Sequence, residues 1–318
     1  MERKMFVSSS PHVRSSETIS SVMRDVVIAL LPATFVGFYY FGLPAVIVTV
    51  LAIVSAIATE AGMLKLRKIK PSLNDMSAAV VTGLLLAMNL PSTAPWWLVI
   101  VGSCFAIAIV KHAFGGLGHN FMNPALAARA MLLAAYPVEM TGWVKPGVDA
   151  VATATPLALL KDAAATGTAA TYDVPSLMDV FIGNVGGCLG ETSAIALILG
   201  GLYLLYRGVI NYRIPAVYIG TVAILTLMFN GFDFSLMTYH LFAGGLMLGA
   251  FFMATDYATS PITAKGQIVF AFGCGLITTI IRFFGGYPEG VSYSILLMNV
   301  AAPLIEKYTS PKVFGGAK

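Results

Sequence analysis

Charge is what this chain has least of. Only 11% of its 318 residues are Asp, Glu, Lys or Arg, where a soluble domain carries about a quarter, and that scarcity excludes an ordinary water-soluble fold. The formal excess is +4 with no basic patch, so nucleic acid is not an expected partner. Cysteine is nearly as scarce. Cys104, Cys188 and Cys274 each sit alone in an apolar stretch without a C-x-x-C pair, which excludes an iron–sulfur cluster or disulfide framework held by this chain alone. The four histidines, His12, His112, His119 and His240, lack ligand spacing on a shared face, so no metal site is expected. At the N-terminus, charge is followed by the Ser-rich run SSSPHVRSSETISS rather than an apolar core. That is no signal peptide, and the segment is expected to stay on the cytoplasmic side.

Apolar sequence is what the chain has in abundance: 58% of residues are hydrophobic and the mean hydropathy is +0.83. The composition predicts an all-α polytopic membrane protein, with spans of roughly 17 to 25 residues. Five runs precede a long polar loop: Val26 to Phe41, Leu43 to Leu64, Met76 to Leu90, Trp96 to Ile109 and Pro124 to Ala135. Five follow it: Thr192 to Tyr206, Ile214 to Phe229, Leu241 to Ala254, Gln267 to Phe284 and Val291 to Ile305. The two series resemble one another. LPAVIVTVLAIVSA from Leu43 recurs as IPAVYIGTVAILTL from Ile214, GLLLAMNLPST from Gly83 meets GLMLGAFFMATDYATSP from Gly245, and FGGLGHN from Phe114 meets FGGYPEG from Phe284. An odd number of spans per unit inverts the second unit, so about ten helices are expected as two inverted five-helix repeats.

Lys and Arg orient such a chain. With the N-terminus inside, Lys65, Arg67, Lys68, Lys70, Lys111, Arg207, Arg213, Lys265, Lys307 and Lys312 all fall inside, as does His112. The expected organisation is a cytoplasmic segment 1–24, a first repeat 25–135, an extracytoplasmic loop 136–175, a second repeat 176–306 and a cytoplasmic tail 307–318. Polar residues interrupt the runs at Asp75 and Asn89, at Asn120, Asn123 and Arg129, at Thr255 and Asp256, and at Arg282 and Glu289. Broken helices leave backbone groups that lipid cannot satisfy, so they line a buried or watery cavity. Single glycines and asparagines there read as helix-packing devices. The charges Arg129, Glu191, Asp256 and Arg282 together point to function, because an intramembrane charge is costly.

The outer loop carries DAVATATPLALLK, Asp149 to Lys161. Pro156 disfavours the α region for Thr155 and would hold it extended, offering its hydroxyl to something outside the chain. The same residues also read as a helix start, with Thr153 or Thr155 as N-cap and Pro156 at the first position.

SSSPHVRS, NPALAARAMLLAAYP, ATPLALL, GETSAIAL, FMATD and IRFFGGYPEGVSYSILLMNVAAP together resemble the family that contains the D subunit of the Rnf electron-transport complex and the B subunit of the sodium-pumping NADH:quinone reductase. The resemblance covers almost the whole chain. It implies FMN joined through its phosphate to a threonine, in a motif of Asp, a few residues, then Ser-Gly-Ala-Thr. Here Ala152-Thr153-Ala154-Thr155 keeps Asp149, Ala154 and the last Thr but lacks the Ser and Gly. Thr155 holds the position before Pro156 and is the expected site; Thr153 points the same way in an extended segment.

A flavin carries one or two electrons while the protein places and tunes it. The resemblance further implies a subunit of a hetero-oligomeric complex in a bacterial or archaeal cytoplasmic membrane. Electrons would pass from reduced ferredoxin to NAD+ as Na+ or H+ moves outward, and a separate flavin transferase would attach the FMN. It leaves room for a second, non-covalent flavin such as riboflavin. Asn123, Arg129, Thr255, Asp256 and Arg282 are expected to line one cavity between the repeats that holds a flavin's polar edge or phosphate. Glu191, Asp256, Asp75 and Glu289 are the acidic candidates for ion movement. Two other functions fit the residues: the B-type quinone-reductase subunit, and a small-solute channel or transporter built on inverted repeats without a redox role.

Overall fold

The computed structural model describes residues 17–144, 146, 154–166 and 175–311, and every regular element among them is a helix. Asp149 and Thr153 lie outside the described residues. Helix α1, Ile19–Leu66, starts on a capping box in which Thr18 and Ser21 exchange backbone and side-chain hydrogen bonds. Its 48 residues would rise about 72 Å, over twice a bilayer's hydrocarbon core. Gly42, at φ +64° and ψ −146°, breaks it into two helices, a conformation open to glycine because it has no Cβ.

Helix α2, Leu73–Met88, begins on a second capping box between Ser72 and Asp75. Asp75 is therefore a helix cap. Helix α3, Trp96–Cys104, continues as a π-helix over Phe105–His112. Asn123 caps α4, Pro124–Ala135, with Pro124 at the first turn, where the missing N–H costs nothing. Short helices α5, Pro137–Met140, α6, Pro156–Thr166, and α7, Leu177–Ile182, belong to the connecting loop. A single 3-10 turn, Leu189–Glu191, then leads into α8, Ala194–Tyr206, and α9, Arg213–Phe229.

The expected span from Leu241 to Ala254 is bent. Helix α10, Phe234–Phe242, and α11, Leu246–Leu248, with its π-helical continuation Gly249–Met253, meet at 62° across a break where Gly244 has φ +72°. Helices α12, Ala264–Phe284, and α13, Val291–Thr309, complete the chain.

Among the described residues, two helices, Ile19–Leu66 and Ala264–Phe284, are long and apolar enough to cross a membrane by length and composition, or three with the bent pair. The other apolar helices, such as Leu73–Met88 and Pro124–Ala135, rise only about 18 to 26 Å. Their ends find polar partners inside the protein instead: Leu189 N–H donates to Leu90 O at 3.2 Å. One core runs through both halves of the chain, with Leu30, Leu86, Leu126, Leu197, Tyr218 and Phe270 fully buried in it. Helices α1 and α8 touch so closely that a Cβ at Gly200 would stand 2.0 Å from Ala29 O. At the end of that contact Arg207 donates twice to Asp25 Oδ2, at 3.0 and 3.1 Å.

Candidate functional site

Arg129 projects from α4 into the core at 7% exposure, and every partner it finds lies on another element. It donates to Asn89 Oδ1 at 2.9 Å, to Glu191 Oε1 at 3.4 Å and to Glu289 Oε2. Asn89 is fixed at the end of α2 by its own bond to Leu85 O, 2.7 Å, and Cys188 donates to Asn89 O at 3.3 Å. Two carboxylates facing one guanidinium leave this knot one negative charge in excess when both are ionised. Such groups persist in a core only when paired and hydrogen-bonded.

Thr155 faces the same region. It lines a cavity of about 60 Å³ with Arg129, Trp143, Tyr287, Glu289 and Tyr293. The expected outward presentation is not what the structure shows: Thr155 is 3% exposed, and its Oγ accepts the Ala158 N–H at 3.3 Å while its carbonyl accepts Leu159 N–H at 3.0 Å. It caps α6. Leu157, buried beside it, reaches the bend, where a Cβ at Gly244 would lie 2.7 Å from its Cδ1.

The remaining expected cofactor residues divide between two places. Asn123, Thr255 and Asp256 line a larger cavity of about 340 Å³ with Asn120 and Lys111, walled by apolar side chains such as Phe251 and Phe252. Asn123 accepts Ala125 and Leu126 N–H and donates to Met253 O at 3.4 Å, and its own N–H reaches Asn299 Oδ1 at 3.2 Å. Thr255 donates to Phe251 O at 2.7 Å, and Asp256 accepts from Thr259 at 3.0 Å.

Arg282 lines neither cavity. Its guanidinium donates to His240 O and Ala243 O, the carbonyls that the break after α10 leaves without helical partners. Among the described residues these five are divided: the bend takes Arg282, the knot takes Arg129, and the other three share the larger cavity.

A second buried ion cluster is built on Glu60, a residue outside the set expected from sequence. Glu60 is 0% exposed and takes Lys111 Nζ at 2.8 Å. His112 Nε2 is 3.1 Å from Glu60 Oε1 but off the hydrogen-bonding line. Arg67 donates to Gly115 O at 2.9 Å and lies 3.2 Å from His112 Nδ1. Lys111 is thus no loop charge. The available signal was a lone acid in the apolar run LAIVSAIATEAGML.

An all-helical membrane protein with buried charges in its apolar core, among them an ion cluster on Arg129 that joins its two halves, is the class that fold and site define. Residues 6–315 match the model of the NQR2, RnfD, RnfE family, and the chain belongs to that family. It is 57% identical to the D subunit of the Na(+)-translocating ferredoxin:NAD(+) oxidoreductase complex of Acetobacterium woodii, over 100% of this chain and 97% of the relative. Identity is 49% to the D subunit of the proton-translocating ferredoxin:NAD(+) oxidoreductase complex of Clostridium ljungdahlii, over 97% of this chain and 96% of that one. It is 39% to the D subunit of the ion-translocating oxidoreductase complex of Halorhodospira halophila, covering 96% and 94%.

Proposed function

We propose that the chain is the D-type membrane subunit of an Rnf complex, carries FMN as a phosphoester on Thr155, and relays electrons between reduced ferredoxin and NAD+ coupled to outward movement of Na+ or H+. The observation that carries the reading is near-full-length identity to D subunits named for ferredoxin:NAD+ oxidoreduction with ion translocation. The two named ions, Na+ and H+, keep both within the proposal. The other Rnf subunits and a flavin transferase are the partners it requires.

The larger cavity supports a second, non-covalent flavin such as riboflavin. Its volume of about 340 Å³ lies within the range of small-molecule sites. Asn120, Asn123, Thr255 and Asp256 would hold the polar edge of the ring system against the apolar wall, and the flavin would supply the redox chemistry. The Thr155 cavity, at about 60 Å³, does not admit a flavin as it stands.

The proposed architecture is two inverted five-helix units with both termini cytoplasmic and 136–175 outside. Exposed Lys65, Lys68 and Lys70 after α1 support it, as does the matched placement of His112 and Arg282, each two residues before an FGG turn. The protein made with an active flavin transferase should be yellow after acid precipitation and fluoresce in a denaturing gel. Thr155→Ala should abolish that fluorescence and Thr153→Ala retain it, with mass spectrometry placing the FMN on the Thr155 fragment. A colourless wild type would sink the redox reading and leave the solute transporter.

A further inference from the structure

Helix α6 covers the acceptor from which it starts. Thr155 is 3% exposed, its Oγ already accepts the Ala158 N–H, and the space in front of it is about 60 Å³, bounded by Arg129, Tyr287, Glu289 and Tyr293. Flavin attachment is a phosphoryl transfer. The Thr155 O–P bond forms as the anhydride P–O bond of a flavin–nucleotide donor breaks, the nucleotide leaves, and the hydroxyl proton passes to a base on the transferase. That displacement needs an in-line approach to Oγ, which the docked helix denies to any second protein.

Leu157 and Lys161 are among the contacts that hold the helix down. Leu157 packs into a small cluster of its own with Val180, Val185, Tyr239 and Ala243, apart from the main core. One turn further on, Lys161 Nζ donates to Gly285 O and, at 3.4 Å, to Tyr287 O. Among the described residues no other helix packs extensively along α6. Its 11 residues are too few for a stable isolated helix in water, and a short helix packed in a satellite cluster outside the main core opens locally more readily than the core.

We propose that α6 is a pinned strap: Thr155 is modified only while the strap is undocked, and Leu157 and Lys161 are the positioning residues that set how often that happens. This rests on the reading that Thr155 bears FMN. It adds an order to maturation, with opening before attachment.

The test uses the detergent-purified complex. Thr155→Cys, in a background without native cysteines, should react with a bulky maleimide at least about tenfold more slowly than a cysteine at exposed Thr141. Adding Lys161→Ala should raise the Thr155→Cys rate on the order of tenfold, the size expected from losing hydrogen bonds to a charged group. Lys161→Arg, which still donates to carbonyls, should restore protection. In the Thr155 protein, Lys161→Ala and Leu157→Ala should speed transferase-dependent gain of in-gel flavin fluorescence by a similar factor, and Lys161→Arg should not. Labelling of Thr155→Cys as fast as Thr141→Cys, or transfer rates indifferent to both pins, would overturn the strap. Absent fluorescence in the wild type would instead remove the flavin reading, while the labelling comparison still reports whether the strap docks.

Discussion

Arg129 is the residue whose removal the core can least absorb. Replacing it with Met leaves Glu191 and Glu289 facing each other without a cation, and breaking a buried pair in this way costs about 3–5 kcal/mol. Glu289→Gln is the milder change, because Arg129 keeps Glu191 and Asn89. Arg129→Met should therefore lower the thermal midpoint of the detergent-solubilised protein well below that of Glu289→Gln, as read by size-exclusion of heated samples; the reverse order would refute the knot. Glu60→Gln should act like Arg129→Met, since it strands buried Lys111. A loss similar to that from an exposed-site substitution would show that water reaches the Glu60 cluster.

Helices meet here at glycines, and their environments separate two kinds of position. Gly200→Ala drives a Cβ into Ala29 O at 2.0 Å, whereas a Cβ at Gly220, on α9, meets nothing within 4 Å. Gly200→Ala should reduce the yield of monodisperse protein, and Gly220→Ala should be neutral or stabilising by up to about 1 kcal/mol, as alanine favours helix. Equal behaviour would mean that α1 and α8 are not in contact. Apolar runs showed most of these helices in the sequence: Pro124 to Ala135 is the observed α4, and the division between the runs ending at Phe41 and starting at Leu43 is the observed break at Gly42. Length misled where a run contained a bend, because Leu241 to Ala254 is apolar throughout and only Ala243 to Gly245 breaks it. The site was legible residue by residue but not as a group. Arg129 and Arg282 both stood out as charges in apolar sequence, yet nothing local tells that one meets carboxylates and the other the carbonyls of a bent helix. Pro156 likewise served both readings of Thr155, and only the long-range contacts of α6 decide for the cap.

Taken whole, the molecule should lie with residues 136–175 outside. A cysteine at exposed Thr141 in intact cells should react with an impermeant maleimide, and one at Lys68 should react only after the membrane is opened; the opposite pattern would invert the proposed topology. The two halves of the chain are joined at three separate places: Asp25 to Arg207, Arg129 to Glu191 and Glu289, and Asn123 to Asn299 and Met253. Transporters with inverted repeats move their cargo by rocking one half against the other about a central site. Here such rocking would break all three ties in one motion, two of them ion pairs and one of those buried, which favours the halves moving as one frame. A frame of that kind would keep groups mounted on its two halves at a similar separation, which suits short electron hops between them.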